Sequence, residues 1–165
     1  MVDDVIDIEA LAGRVGTALS LRGLVLATAE SCTGGWIAKC LTDHAGSSGW
    51  FGFGYVTYSN AAKVDMLGIA PSLIQEHGAV SQAVVEQMAI QAQQRSDADL
   101  SVAVSGVAGP DGGTAPKPVG TVWLAWCGTG GSVTSRCEQF AGDRDAVRRQ
   151  AVAAALAGLM SRLAT

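Results

Sequence analysis

The chain has 165 residues, 48% of them apolar and only 16% charged, with a formal net charge of −4 at neutral pH. That length holds one domain whose core needs neither metal nor disulfide, and no stretch has the composition of a disordered region. The acidic balance argues against a nucleic-acid platform, which presents a clustered basic face, but leaves room for a small anionic ligand held by one arginine and a few amides.

The N-terminal Met1-Val2-Asp3-Asp4 is acidic, and no apolar run approaches the length of a membrane span, so neither a signal peptide nor a transmembrane segment is expected. Cys32, Cys40, Cys127 and Cys137 form no C-x-x-C pair and read as reduced thiols of a cytosolic protein. Ile8, Leu11, Val15, Ala18 and Leu19 then recur at helical spacing between a capping Asp7 and a terminating Gly23. An apolar strand follows over 24–29, apolar on both faces as a central strand is. It ends in hydroxyls, a thiol and two glycines, after which a helix runs over about 34–44.

Residues 50–58 are aromatic and β-branched and predict a strand, with Gly52 and Gly54 marking a bulge or a close backbone approach. Ser59-Asn60 caps a short helix that carries Lys63 and closes at Gly68, and Pro71 opens another turn. Val84, Val85, Met88, Ala89 and Ala92 mark one face of a helix from Ser81 to about Ala98. A buried strand over 100–104 leads into a second glycine-rich loop, and strands over 121–127 and 132–140 flank Gly128-Thr129-Gly130-Gly131 as a β-hairpin. An alanine-rich helix from Arg144 to about Leu163 ends the order, with Val147, Ala151, Ala154, Ala155 and Leu159 facing the sheet or a partner subunit. The order predicts a three-layer α/β/α sandwich with a mixed, mostly parallel sheet and a late hairpin, without internal repeat or linker.

In such a sheet ligands gather at the carboxyl ends of the strands, which places Ser31 on the binding rim. A serine needs a base, and neither His44 at the far end of the following helix nor His77 beside Gly78 is well placed. Lys63, one turn into a helix that starts at the end of a neighbouring strand, lies on the same rim. It serves as a base when burial disfavours its ammonium form. Tyr58 relays the proton or holds the amine, and the backbone amides of Cys32, Thr33, Gly34 and Gly35 stand ready for an oxyanion. Blander readings stay open. A serine before a helix is most often just a cap and a lone lysine on a short helix usually a solvated charge; the 106–113 loop is a plain turn without the Walker pattern. Cys32 is a packed thiol or itself the nucleophile. Arg144, Arg148 and Arg149 are solvated, paired with Asp143 and Asp145, or reach a phosphate, while Trp36, Trp50, Trp123 and Trp126 belong to core or interface.

Four ordered motifs add information: Thr28-Ala29-Glu30-Ser31-Cys32-Thr33-Gly34-Gly35, Tyr58-Ser59-Asn60-Ala61-Ala62-Lys63, Ser105-Gly106-Val107-Ala108-Gly109-Pro110, and Gly142-Asp143-Arg144 with Val147-Arg148. Together they resemble the CinA C-terminal domain family over nearly the whole chain. The resemblance implies an amidase that converts nicotinamide mononucleotide to nicotinate mononucleotide and ammonia in pyridine-nucleotide recycling, with no metal or cofactor. It implies Ser31 as nucleophile, Lys63 as base and Tyr58 as accessory group, with Arg148 preferred over Arg144 as the supporting arginine. Ser105, Gly106 and Gly109 join Cys32 to Gly35 as substrate-binding positions. Ala61 stands where many relatives carry Glu, and Asp111 where Gly is common. No pyrophosphatase activity is expected, because the molybdopterin-binding-like domain of longer relatives is not in this sequence. The expected partner besides the nucleotide is a second copy in a homodimer; the alternative is a nucleotide-binding or assembly module without turnover.

Overall fold

The computed structural model describes residues 7–164, so the acidic Met1-Val2-Asp3-Asp4 segment lies outside the described residues. Helix α1 (Ile8–Arg22) is capped by Asp7, whose carboxylate accepts from the Ala10 amide, and closes on Gly23. Then follow β1 (Leu26–Glu30), α2 (Trp36–Thr42), β2 (Phe51–Val56), α3 (Asn60–Leu67), α4 (Pro71–His77), α5 (Gln82–Ser96), β3 (Leu100–Gly106), β4 (Thr121–Cys127), β5 (Val133–Gln139) and α6 (Arg144–Leu163).

The strands form one sheet in the order β2-β1-β3-β4-β5. β1 is parallel to both neighbours, and the β3–β4 and β4–β5 pairs are antiparallel. Four strands therefore point the same way and β4 alone opposes them, which is the mixed, mostly parallel sheet with a late hairpin. Strand alternation divides the core into two layers. Leu26, Val102, Val104, Val122, Leu124 and Trp126 pack with α1, α2 and α6 on one face. Ala29, Ala103, Ala125 and Cys127 meet Val84, Val85, Met88, Ala89 and Ala92 of α5 on the other.

Several boundaries differ from the sequence expectation, each because of a backbone partner. The first strand starts at Leu26 because Val25 is bound elsewhere: its amide donates to Asp99 at 2.8 Å, and its carbonyl accepts from the Asp99 and Leu100 amides. It also extends to Glu30, which pairs with Val56 and Val104. β3 continues through Ser105 and Gly106 because these pair with Trp123 and Val122 of β4. β2 is shorter than 50–58: Trp50 turns into the core, and register slips between its pairs with Leu26 and Ala27, leaving Gly52 as the bulge. α2 begins only at Trp36, since Gly35 is held at φ +97°, a conformation other residues rarely adopt. The stretch opened by Pro71 is a full short helix that includes His77. In α6, Val147, Ala151, Ala155 and Leu159 are buried as expected, whereas Ala154 is half-buried.

Candidate active site

β1, β2 and β3 run in the same direction, so their ends form one ledge. The Ser31 amide donates to the Val104 carbonyl and the Thr57 amide to the Glu30 carbonyl, binding the three strand ends together. Ser59 then caps α3 by accepting from the Ala62 amide at 3.0 Å, and the first turn of that helix drives Lys63 inward. The Lys63 side chain is 1% exposed, far from the solvated charge that a lone surface lysine would be.

Its Nζ lies 3.0 Å from Ser31 Oγ, 2.8 Å from the Thr57 carbonyl oxygen and 3.5 Å from that of Tyr58. Burial lowers the amine's pKa from its ordinary value to about 8. A neutral amine has two N–H donors and one lone pair. As an ammonium, Nζ donates to all three oxygens, Ser31 Oγ included; once neutral, it can keep its two N–H groups on the carbonyls, which only accept, and leave its lone pair for the Ser31 hydroxyl. Such an arrangement can pass a proton from the hydroxyl to the amine.

The turn from Ser31 to Gly35 is held from two sides. Below it, the fully buried Glu30 accepts from the Thr33 hydroxyl at 2.7 Å, the Ile37 amide at 2.8 Å and the Ala38 amide at 3.0 Å. Behind it, Arg148 donates from Nε to the Cys32 carbonyl at 3.1 Å and from Nη2 to the Thr33 carbonyl at 3.2 Å, its guanidinium lying over the Trp36 ring. The Gly34 amide is bonded to the Ser31 carbonyl and the Gly35 amide points to Glu30. Two of the four amides expected to face an oxyanion are therefore committed elsewhere; those of Cys32 and Thr33 have no backbone acceptor among the described residues, and of these two residues Cys32 lines the cleft while Thr33 is fully buried. The Cys32 carbonyl that Arg148 binds belongs to the same peptide plane as the Thr33 amide, so the guanidinium polarises that donor.

The ledge opens into a cleft of about 260 Å³ lined by Ser31, Cys32, Tyr58, the 106–109 segment, Asp111, Gly112 and Arg144. Arg144 donates to the Gly109 carbonyl at 2.7 Å and to the Tyr58 hydroxyl at 2.8 Å. A guanidinium carries five N–H donors, so a residue tethered in this way still has donors to turn toward an anion. Tyr58 supplies its carbonyl to the amine, while its phenol serves Arg144 instead of relaying a proton to Lys63. Burial pushes the Cys32 thiol up to about 11, leaving it protonated at neutral pH and poorly suited to be the nucleophile.

The structure thus brings together Ser31, Lys63, Cys32, Tyr58, Gly106, Gly109 and Arg144. It separates others. Ser105 turns away from the cleft and donates to the Ala79 carbonyl. Arg148, the arginine the motif favoured, binds loop carbonyls, and Arg144 occupies the cleft. His44 sits against Glu9, and His77 ends α4 with its carbonyl on Lys117. Trp50 and Trp126 are core residues, while Trp36 and Trp123 are half-buried. The residue to which the sequence reading gave no role is Glu30; its signal was its place beside Ser31 in the 28–35 motif. Among the described residues no cluster of His, Cys, Asp or Glu could hold a metal ion, and no helix is long and apolar enough to cross a membrane.

A family model, the CinA C-terminal domain, matches residues 8–163. Nicotinamide-nucleotide amidohydrolase PncC of Escherichia coli (strain K12) is 55% identical over 150 residues, 91% of either chain. The Pseudomonas putida protein of the same name is 58% identical over 153 residues, 93% of this chain and 95% of its own. Among solved structures, the competence/damage inducible protein CihA from Agrobacterium tumefaciens matches with a TM-score of 0.93 at 46% identity over 96% of each chain.

Proposed function

This chain belongs to the CinA C-terminal domain family, and we propose that it is an amidohydrolase that converts nicotinamide mononucleotide to nicotinate mononucleotide and ammonia through Ser31 and Lys63. The observation that carries the mechanism is the Lys63 amine, buried and 3.0 Å from the Ser31 hydroxyl with two carbonyls on its remaining sides. The substrate comes from the names of the PncC relatives.

The nucleotide enters the cleft with its carboxamide over Ser31 and its phosphate toward Arg144. Ser31 Oγ attacks the amide carbon as its proton passes to Lys63 Nζ, and the carbonyl electron pair moves onto the oxygen. The Cys32 and Thr33 amides hold that oxyanion; losing one such donor typically costs about 10²–10³ in rate. Lys63 then gives the proton to the amide nitrogen, the C–N bond breaks, and ammonia leaves an ester on Ser31. Water attacks the ester as the same amine takes its proton, and the collapse returns that proton to Ser31 Oγ and frees nicotinate mononucleotide.

Incubation of the purified protein with nicotinamide mononucleotide tests the proposal. The expected result is equimolar ammonia and nicotinate mononucleotide from the wild type, and loss of both in Ser31→Ala and in Lys63→Ala with the fold retained. Binding of the nucleotide without product would replace the enzyme by a binding module. Wild-type turnover in either variant would remove that residue from the mechanism.

A further inference from the structure

We infer that Glu30 is a positioning residue of the reaction: it sets the plane of the oxyanion-binding peptides by fastening the nucleophile turn at one end and the start of α2 at the other. The inference rests on the amidase reading above. Three features support it.

First, the carboxylate is fully buried and its contacts straddle the turn. Oε1 accepts from Thr33 inside the turn and from Ile37 beyond it, and Oε2 accepts from Ala38. Burial raises the Glu30 pKa and the surrounding donors oppose that shift; an ionised carboxylate only accepts, and the hydroxyl and amides around it all donate, so the charged form is matched to its surroundings. Second, these bonds divide the amides. By taking those of Ile37 and Ala38, Glu30 uses the helix start for itself, so an oxyanion meets the Cys32 and Thr33 amides alone. Third, the opposite face of the same peptides is gripped by Arg148 through the Cys32 and Thr33 carbonyls. A turn held at its hydroxyl from one side and at its carbonyls from the other has its peptide planes fixed. Glu30 adjoins the nucleophile in sequence yet points to the α2 face of the sheet, away from Lys63, so it acts through the turn.

Exchanging the carboxylate for an amide breaks this match. In Glu30→Gln one oxygen still accepts, but the new NH₂ group meets the N–H of Ala38 or of Ile37, donor against donor. The turn then relaxes while substrate contacts in the cleft persist. The expected result in Glu30→Gln is a fall in kcat of about tenfold or more, less than the loss of a whole donor. KM should move less than about threefold, and the acid limb of the pH profile should stay near pH 8, because the Lys63 environment is intact. Thr33→Val should lower kcat in the same manner, and Thr33→Ser, which restores the hydroxyl to Glu30, should recover most of the loss.

The test measures nicotinamide mononucleotide turnover by the full chain and these variants. In parallel, mass spectrometry follows acylation of Ser31 by p-nitrophenyl acetate, which needs the same oxyanion site but no nucleotide. Undiminished kcat and acylation in Glu30→Gln would overturn the inference. So would a loss that follows the folded fraction alone, or equal rates in Thr33→Val and Thr33→Ser, which decide the matter when Glu30→Gln fails to fold. Acylation of Ser31 without nucleotide turnover in the wild type would overturn the substrate reading, and the variants' acylation rates would then decide the role of Glu30. Absence of Ser31 acylation in the wild type would overturn both.

Discussion

Lys63 has a cost in stability that follows from its chemistry. Its pKa in the folded protein is about 8, below the ordinary 10.5 of the unfolded chain. Below pH 8 both states hold the proton and the folded one suffers the buried ammonium. Between pH 8 and 10.5 the unfolded state binds more protons, so Lys63 contributes stability that grows with pH, is complete above 10.5 and is lost as pH falls through 8. A shift of this size corresponds to at most about 3 kcal/mol. Thermal unfolding of wild type and Lys63→Met across this range should show the wild type gaining relative to the variant as pH rises; parallel curves would mean that the amine is not desolvated. Cys32 supplies a contrast. Its protonated thiol should resist iodoacetamide at pH 7, and Cys32→Ala should lower kcat by less than about tenfold, whereas Ser31→Ala abolishes it; the reverse ranking would make the thiol the nucleophile. Ser31 and Lys63 were legible because each stands at the end of an identifiable strand or the start of the helix after it. Glu30 was not, because its donors come from the turn after it and from the return of α2 across the sheet, neither of which the sequence places.

At the scale of elements, α6 divides its arginines by one helical turn. Arg144 in the first turn reaches the cleft, and Arg148 one turn later reaches the back of the turn that follows Ser31. Arg144→Ala should therefore raise KM for the nucleotide about tenfold or more and leave uncharged amides unaffected. Arg148→Ala should lower kcat and the melting temperature together. Steady-state kinetics and calorimetry check both, and an exchange of the two phenotypes would contradict the geometry. Further along, Trp126 of β4 donates from its indole to the Ala155 carbonyl at 3.0 Å and lies flush against Gly158, where a methyl group would come within 2.2 Å of the ring. Gly158→Ala should thus destabilise by about 1–3 kcal/mol, read by denaturant unfolding; an unchanged midpoint would show that the helix can lift freely. Most element types were legible because hydrophobic period and caps such as Asp7 and Ser59 agree, whereas the short helix α4 read only as a turn. Boundaries moved where a tertiary partner claimed a backbone group, as Asp99 does at Val25.

For the whole molecule, the layered sheet was legible from the alternation of strands and helices, but the use of its faces was not. The alanine-rich face of α6 read as facing the sheet or a partner subunit, and Val147, Ala151, Ala155 and Leu159 are fully buried in the chain's own core. Ala157→Glu, on the exposed side of that helix, should leave the mass seen by light scattering unchanged at any protein concentration; a change would make α6 an interface after all. The two sheet edges differ. β5 carries the Arg136–Glu138 pair, a charged device against pairing with another strand, while β2 exposes Phe53 and Val56 with no charge among its residues. Both edges leave the ledge between β1, β2 and β3 open, and there the account is most directly tested by kcat/KM for nicotinamide mononucleotide from pH 6 to 10. A neutral Lys63 acting on Ser31 predicts a rise of about tenfold per pH unit up to about pH 8 and a plateau above it, absent in Lys63→Ala. A profile flat through pH 8, or a Lys63→Ala variant within about tenfold of the wild type, would contradict it.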